Sequence, residues 1–409
     1  MKVMLHLATA TSAAIAIAFS SPAYAQHYTQ VNLVANTSGV APVTDPNLVN
    51  PWGLSRQSGS PWWISDNGAG LATLYNGAGG IVPLVVTIPK ADPNSKTFPA
   101  GTPTGTIANG SSTDFLLAKG APALFLFSTI DGTISGWNPA IGIAPGGTPP
   151  SKTATVVFKA KDGSSYTGLT SATINGKRYL YAANFTKGRV DVFDSAFHKV
   201  SLGHPEREDR DRDRDNDRGR DNDNDRAFAD EHLPRNFVPF NVQAIGNDIV
   251  VTFVLHQEGN PFETDGEGLG FVDIFSSTGK LLQRLQHGRW LNAPWGVALA
   301  PLDFGAYSHD LLIGQFAGGS TTESGGTIAA YDLATGDFVG LVKDAAGKNL
   351  SIAGLWAISP GNSASANSYD SAAAPASELY FTAGPNHGAD GLFGYLKPVA
   401  TELVEGNDQ

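Results

Sequence analysis

A chain of 409 residues with no cysteine, 47 glycines and 25 prolines carries a formal net charge of −11. The missing cysteines exclude disulfide staples, a Cys-based zinc site, thiol chemistry and covalent haem attachment, so stability must come from a sizeable core. The charge divides unevenly: residues 206–231 hold 12 acidic and 7 basic side chains and the remainder is mildly acidic, so neither part offers the basic surface that a nucleic-acid partner requires.

Residues 1–25 read as a signal peptide. Lys2 supplies the positive end, an Ala/Ile-rich run extends to about Phe19, and "AYA" at 23–25 is a small-x-small cleavage signature. The expectation is export, with a mature chain starting at Gln26 and released into the periplasm or the extracellular space as a soluble monomer. No later segment is apolar enough to span a bilayer, and the tail 398–409 reads as flexible, without a hydrophobic anchor.

The strand-like stretch "YTQVNLVA" (28–35) alternates as an edge strand does. A related phrase then returns at blade-like intervals: "NPWGLS" at 50–55, "YTGLTS" at 166–171, "PFNVQA" at 239–244, "APWGVA" at 293–298 and "GLWAIS" at 354–359. Each begins a short apolar strand, followed by a polar or glycine turn and a second strand. Long helical periodicity is missing. Together these features give an all-β fold, a six-bladed β-propeller whose blades bury their faces against their neighbours. Blade one covers 50–89, blade three 166–200, blade four about 237–287, blade five about 293–342, and blade six begins at 354. Blade two is the least regular, at 121–139 and 154–160, and a seventh blade fits if residues 90–120 hide another unit.

Blade six lacks a fourth strand at its C-terminal end. Residues 28–35 would complete it and close the ring by pairing the two chain ends; the competing reading is a linker after the signal peptide. The propeller would occupy 26–203 and 233–397, interrupted by an Asp/Arg-rich insertion at 204–232. That tract has no aliphatic run to bury and is expected to be disordered and dispensable. Within it "DNDND" (221–225) spaces carboxylates as Ca²⁺ loops do, but lacks the turn glycine and terminal Glu of an EF-hand.

Propeller geometry directs the search for chemistry. The turn before each inner strand and the turn after each second strand share one face of the disc, around the channel mouth. This predicts a ligand face built from Asp66, Asn67, Asn184, His256, Gln315, Asn386 and His387, with Asn50, Thr129, Asp131 and Asn292 beside them. Polar groups from separate blades suit a metal site or an acid/base pair. In that reading Asp66, Asn184 and Asn386 hold Ca²⁺ or another divalent ion, Asp66 is the anchor, and His256 or His387 is the catalytic base. The alternative for each residue singly is an Asx-type cap of its own turn.

Trp52, Phe240, Trp295 and Trp356 share a repeat position, read as packing between adjacent blades; an exposed ring of indoles would instead point to sugars or aromatic ligands. The loop 256–270 carries Glu258, Glu263, Asp265 and Glu267 among glycines, which suits either Ca²⁺ or an ordinary acidic surface. No G-x-S-x-G elbow, H-E-x-x-H pair or P-loop occurs, which disfavours hydrolases of those classes.

The phrases "NPWGLS", "WISDNGAGLATLYNG", "FLFSTIDGTISGWNP", "YTGLTSA", "LYAANFTKGRVDVFD", "GLGFVDIFSSTGKLLQRL" and "LNAPWGVALAP" together resemble an uncharacterised family of exported bacterial proteins, some of which carry a PEP-CTERM sorting tail. The resemblance covers the expected mature chain apart from 204–232. It implies an NHL-like propeller and secretion, and it implies no activity. The lack of a sorting tail here argues for release.

Two function classes follow. One is a non-catalytic binding or scaffold propeller of the envelope or extracellular space, with a small molecule, a polysaccharide or an envelope protein as partner. The other is a metal-assisted hydrolase resembling the six-bladed lactonases, with its site at the channel mouth.

Overall fold

In the computed structural model, which describes residues 26–203, 227–317, 325–361 and 377–399, the recurring phrase is a β-bulge. Six inner strands begin with it, and each slips register against its partner there: between Pro51 and Leu54, Pro103 and Thr106, Tyr166 and Gly168, Pro239 and Asn241, Pro294 and Gly296, and Leu355 and Ile358. A bulge bends a strand and increases its twist, which suits strands crowded around a common axis. The glycine of the phrase is required by that crowding. A Cβ on Gly53 would stand 2.7 Å from the Thr106 nitrogen of the next inner strand, and one on Gly296 would stand 2.5 Å from the Trp356 carbonyl oxygen.

Six antiparallel sheets result, one per blade. Blade one is Pro51–Ser55, Trp62–Asp66, Leu71–Tyr75 and Val86–Thr87, and blade three is Tyr166–Ile174, Lys177–Asn184, Arg189–Phe193 and Lys199–Val200. Blades four and five start at Phe237–Ile245 and Pro294–Leu299. Blade two takes its inner strand, Pro103–Ala108, from the stretch that left a seventh blade open, so the ring has six.

Blade six joins Leu355–Pro360, Leu379–Ala383 and Leu392–Pro398 to the N-terminal strand His27–Ala35. That strand runs antiparallel to the last one, from Tyr28 opposite Pro398 to Ala35 opposite Leu392. Its outer edge is itself partly covered, by short parallel pairings with Lys343–Asp344 and Val43–Thr44. The chain remains paired to the end of the described residues, since the Val399 amide donates to the His27 carbonyl. The expected tail boundary at 398 is therefore too early.

The core is divided accordingly. Separate apolar clusters fill the interfaces between successive blades: Trp63, Phe125 and Trp137 between blades one and two, Tyr181, Phe253 and Phe275 between three and four, and Leu33, Trp62 and Phe393 between six and one. A further cluster lies on the axis. It holds Trp52, Phe240, Trp295 and Trp356, which were expected between adjacent blades and instead meet across the ring. Trp52 stacks on Trp356 at 3.6 Å and meets Trp295 edge-on at 6.0 Å and Phe240 at 6.4 Å. Blades one, four, five and six thus close the channel with aromatic rings, while Thr104 and Thr167 hold the same position in blades two and three.

Residues 1–25, 204–226 and 400–409 lie outside the described residues, and with them the proposed signal peptide, "DNDND" and most of the Asp/Arg tract. Residues 227–230, assigned to the insertion by composition, are packed. Phe228 is buried against Tyr181 and Phe275, and the buried Asp230 carboxylate pairs with Arg284. Two apolar residues in a charged tract suffice to anchor its end.

The motif V-D-Φ-F places one Asp at the centre of the third strand in blades three and four, with opposite charge states. Burial alone would raise Asp191, but Lys199, Arg189 and Asn184 bond it and hold its carboxyl below the usual range. Asp273 is fully buried, and Arg284, engaged with Asp230, comes only to 3.5 Å; burial pushes its carboxyl up to about 7. A carboxyl raised in the fold stabilises below its unfolded value and loses that contribution as pH rises through the folded one. Asp273→Asn should therefore gain about 2–3 kcal/mol on the wild type between pH 5 and pH 8, checked by urea unfolding at both values. A difference that does not change with pH would contradict the assignment.

Candidate functional site

Strand alternation decides which residues reach the channel mouth. In blades one, two, three and five the residue ending the second strand is buried and the residue after it lines the opening. Asp66 is fully buried, and neither carboxylate oxygen makes a well-formed hydrogen bond. Its carboxyl is raised well above the ordinary value, chiefly by burial; neighbouring Thr73 offsets part of this and Asp45 adds to it. Asn184 is buried, donating to Ser164 Oγ at 2.9 Å and Asp191 Oδ2 at 2.7 Å. Gln315 is buried, accepting from the Asn292 amide at 2.9 Å and donating to the Ile313 carbonyl at 3.0 Å. Thr129 bonds Asp131, whose other oxygen accepts from the Ala91 amide at 2.6 Å.

One position further along are Asn67, Ile130, Phe185 and Phe316, and all four line a single pocket of about 210 Å³ at the channel mouth. Every blade contributes to it. Blade one adds Asn50 and Trp52, blade three Ser165 and Thr167, blade four Phe240 and the segment Pro261–Glu263, and blade six Trp356, His387 and Gly388. The buried Trp52, Phe185, Phe240 and Trp356 form its base. Beneath the aromatic cluster, a void of only about 20 Å³ lies among Trp295, Asn241 and the inner-strand glycines.

The rim is held in place by hydrogen bonds between blades. Asn50, at φ 46°, accepts from the Trp356 indole at 3.0 Å, and the Asn67 side chain donates to the Pro103 carbonyl at 3.1 Å. Asn386 and His387 both adopt left-handed backbone, φ 55°, in the exposed turn of blade six. Only His387 of that pair lines the pocket. His256 lies behind the wall, with its ring 4.5 Å from Phe185 and its Nε2 2.8 Å from the Asn260 carbonyl oxygen. Of the expected ligand face, Asn67 and His387 therefore meet at the pocket, and Asp66, Asn184, His256, Gln315 and Asn386 do not line it.

The lining has two ionisable groups, Glu263 and His387, and no Lys or Arg. Burial raises the Glu263 carboxyl above its ordinary value, with Asp265 adding to the effect. The other acids of its loop go elsewhere: Glu267 accepts from Arg289 Nε at 2.8 Å, and Glu258 and Asp265 are exposed. Asp66 and Asn184 are buried away from the pocket and Asn386 stands in an exposed turn, and among the described residues no three His, Asp or Glu are placed to hold a metal ion.

Fold and site together define a six-bladed β-propeller with one aromatic-based pocket at a channel mouth. No family model matches the sequence. The chain is similar to uncharacterized proteins of Acanthamoeba polyphaga mimivirus. One is 26% identical over 371 residues, covering 89% of this chain and 78% of that protein; another is 26% identical over 373 residues, covering 89% and 84%. A third is 27% identical over 242 residues, 59% of this chain and 38% of its own length. These relatives are viral, whereas the sequence motifs had pointed to bacterial ones. Among solved structures, a streptogramin B lyase has 12% identity and a TM-score of 0.41, covering 91% of this chain and 98% of that one. The PQQ-bound aldose sugar dehydrogenase of Streptomyces coelicolor has 11% identity and a TM-score of 0.43, with the same coverage. Likenesses at this level say nothing about activity.

Proposed function

We propose that the protein is an exported, non-catalytic binding propeller that seats a small molecule in the mouth pocket. The observation that carries this reading is the convergence of all six blades on one cavity with a buried aromatic base and a rim of neutral amides and hydroxyls. Concave, largely apolar sites with a few placed polar groups are where propellers and other folds bind small ligands. The volume favours a single ring or short chain over a polysaccharide or a protein surface, being below the roughly 300–1,000 Å³ of drug-sized sites. Export rests on the signal-like residues 1–25, and the bacterial family resemblance supports it. The metal-assisted hydrolase reading has less support, because Asp66 is buried away from the pocket and Asn184 is bonded to Ser164 and Asp191.

Ile130 is half-buried on the pocket wall, so Ile130→Trp should fill the cavity and leave the blades intact. In a thermal-shift screen of ring-sized compounds, ligands present at 100 times Kd should stabilise the wild type by about 2.7 kcal/mol and should not stabilise the variant. Compounds that stabilise both proteins equally would contradict the pocket assignment. A stoichiometric divalent ion in the purified protein, with turnover of a bound compound, would favour the hydrolase.

A further inference from the structure

We propose that the mouth pocket selects an organic cation, a quaternary or protonated amine small enough to rest on the aromatic base with its charge facing Glu263. This rests on the pocket being a ligand site and specifies the ligand's chemistry. Three observations carry it. Anions are disfavoured because no Lys or Arg lines the cavity, leaving an anionic ligand without a compensating charge. The largely buried Trp52, Trp356 and Phe240 of three blades form the base, with Phe316 and Phe262 beside them on the lining, and aromatic rings attract a cation held within about 6 Å. Finally, Glu263 borders the same cavity and makes no ion pair among the described residues, while Arg289 is bonded to Glu267.

The carboxyl and the aromatic base make complementary demands. A carboxylate held among protein atoms with Asp265 as its charged neighbour is destabilised in its ionised form. A cation entering the pocket would relieve that cost, whereas a neutral ligand of the same shape would not. The neutral rim groups Asn50, Asn67 and Thr167 can accept hydrogen bonds from an ammonium or from a hydroxyl attached to it.

The test uses the full chain and three probe cations, tetramethylammonium, choline and benzyltrimethylammonium, with 3,3-dimethylbutan-1-ol as the neutral isostere of choline. Calorimetric titration should show choline binding at least about tenfold tighter than its isostere, the size expected of a partly desolvated cation–π and carboxylate contact. Glu263→Gln should bring the two within about threefold, and Glu263→Asp should restore part of the preference. Thermal unfolding should show Glu263→Gln at least as stable as the wild type, because burial makes the ionised carboxyl unfavourable, so a lost preference for choline would not come from unfolding. If the isostere binds as tightly as choline, or if none of the three cations binds below about 10 mM, the inference is overturned. The pocket reading would still stand if neutral compounds continue to stabilise the wild type and not Ile130→Trp.

Discussion

A chain lacking residues 26–35 should fail to form a stable monomer. The strand His27–Ala35 is the fourth strand of the last blade, and its loss would expose the edge of Leu392–Pro398. It would also empty both neighbouring interfaces. Tyr28 packs on Phe304 with ring centroids 4.5 Å apart and donates to its carbonyl at 2.6 Å, on the blade-five side. Leu33 and Val34 fill the interface with blade one. Each large buried side chain contributes about 1.5–3 kcal/mol, so the sum approaches the roughly 5–15 kcal/mol that separates folded from unfolded domains. Soluble yield and urea unfolding should both collapse, and a synthetic peptide covering 26–35 should restore them by pairing to the open edge. An unchanged unfolding midpoint in the shortened chain would show that the ring does not depend on this closure.

Trp356→Ala should be the most damaging single substitution on the axis, at about 3–5 kcal/mol. The indole stacks on Trp52 at 3.6 Å, lies 4.3 Å from Phe316, and donates to Asn50 Oδ1 at 3.0 Å. Removing it would take away a stacking surface, a cross-blade hydrogen bond and part of the pocket base together. Trp356→Phe keeps the ring and loses the N–H, so it should cost about 1 kcal/mol. Guanidinium unfolding separates the two. Equal effects would mean that the hydrogen bond, and not the stacking, holds the plug.

The blade repeat was legible because the glycine of four inner strands, at 53, 105, 168 and 296, answers the same physical demand, with Asn241 and Ala357 in its place in the other two. Gly53 and Gly296 sit where the next strand's backbone leaves no room for a Cβ, and the flanking Pro and Trp make the phrase conspicuous. In blade two Thr104 stands in place of the Trp, as Thr167 does in blade three; Pro103 and Gly105 keep the pattern, and the register slip between Pro103 and Thr106 marks the bulge. The aromatic plug was harder to foresee. Repeat position alone assigns Trp52 to a blade, and only the closed ring shows that it touches Phe240 on the far side.

The candidate site was misread by one residue. Polar residues at the second-strand ends drew attention as chemistry, yet Asp66, Asn184 and Gln315 are buried and Asn184 and Gln315 are tied into the turns. Period-two alternation puts the following residue, Asn67, Ile130, Phe185 or Phe316, at the opening. Three of those four are apolar, and an apolar residue after a strand reads as core. Glu263 was visible in its acidic loop, but composition left shared cation ligation and an ordinary acidic surface both open, whereas the fold gives the acids of that loop different environments.

Crystallography on crystals soaked with ring-sized fragments is the most direct test of whether the proposed cavity at the channel mouth takes a ligand. A mixture of small amines and neutral compounds should give density against Trp52, Phe240 and Trp356, with amine nitrogens on the Glu263 side. Fragments bound only on blade faces or outer edges, with the mouth pocket left to solvent, would contradict the account.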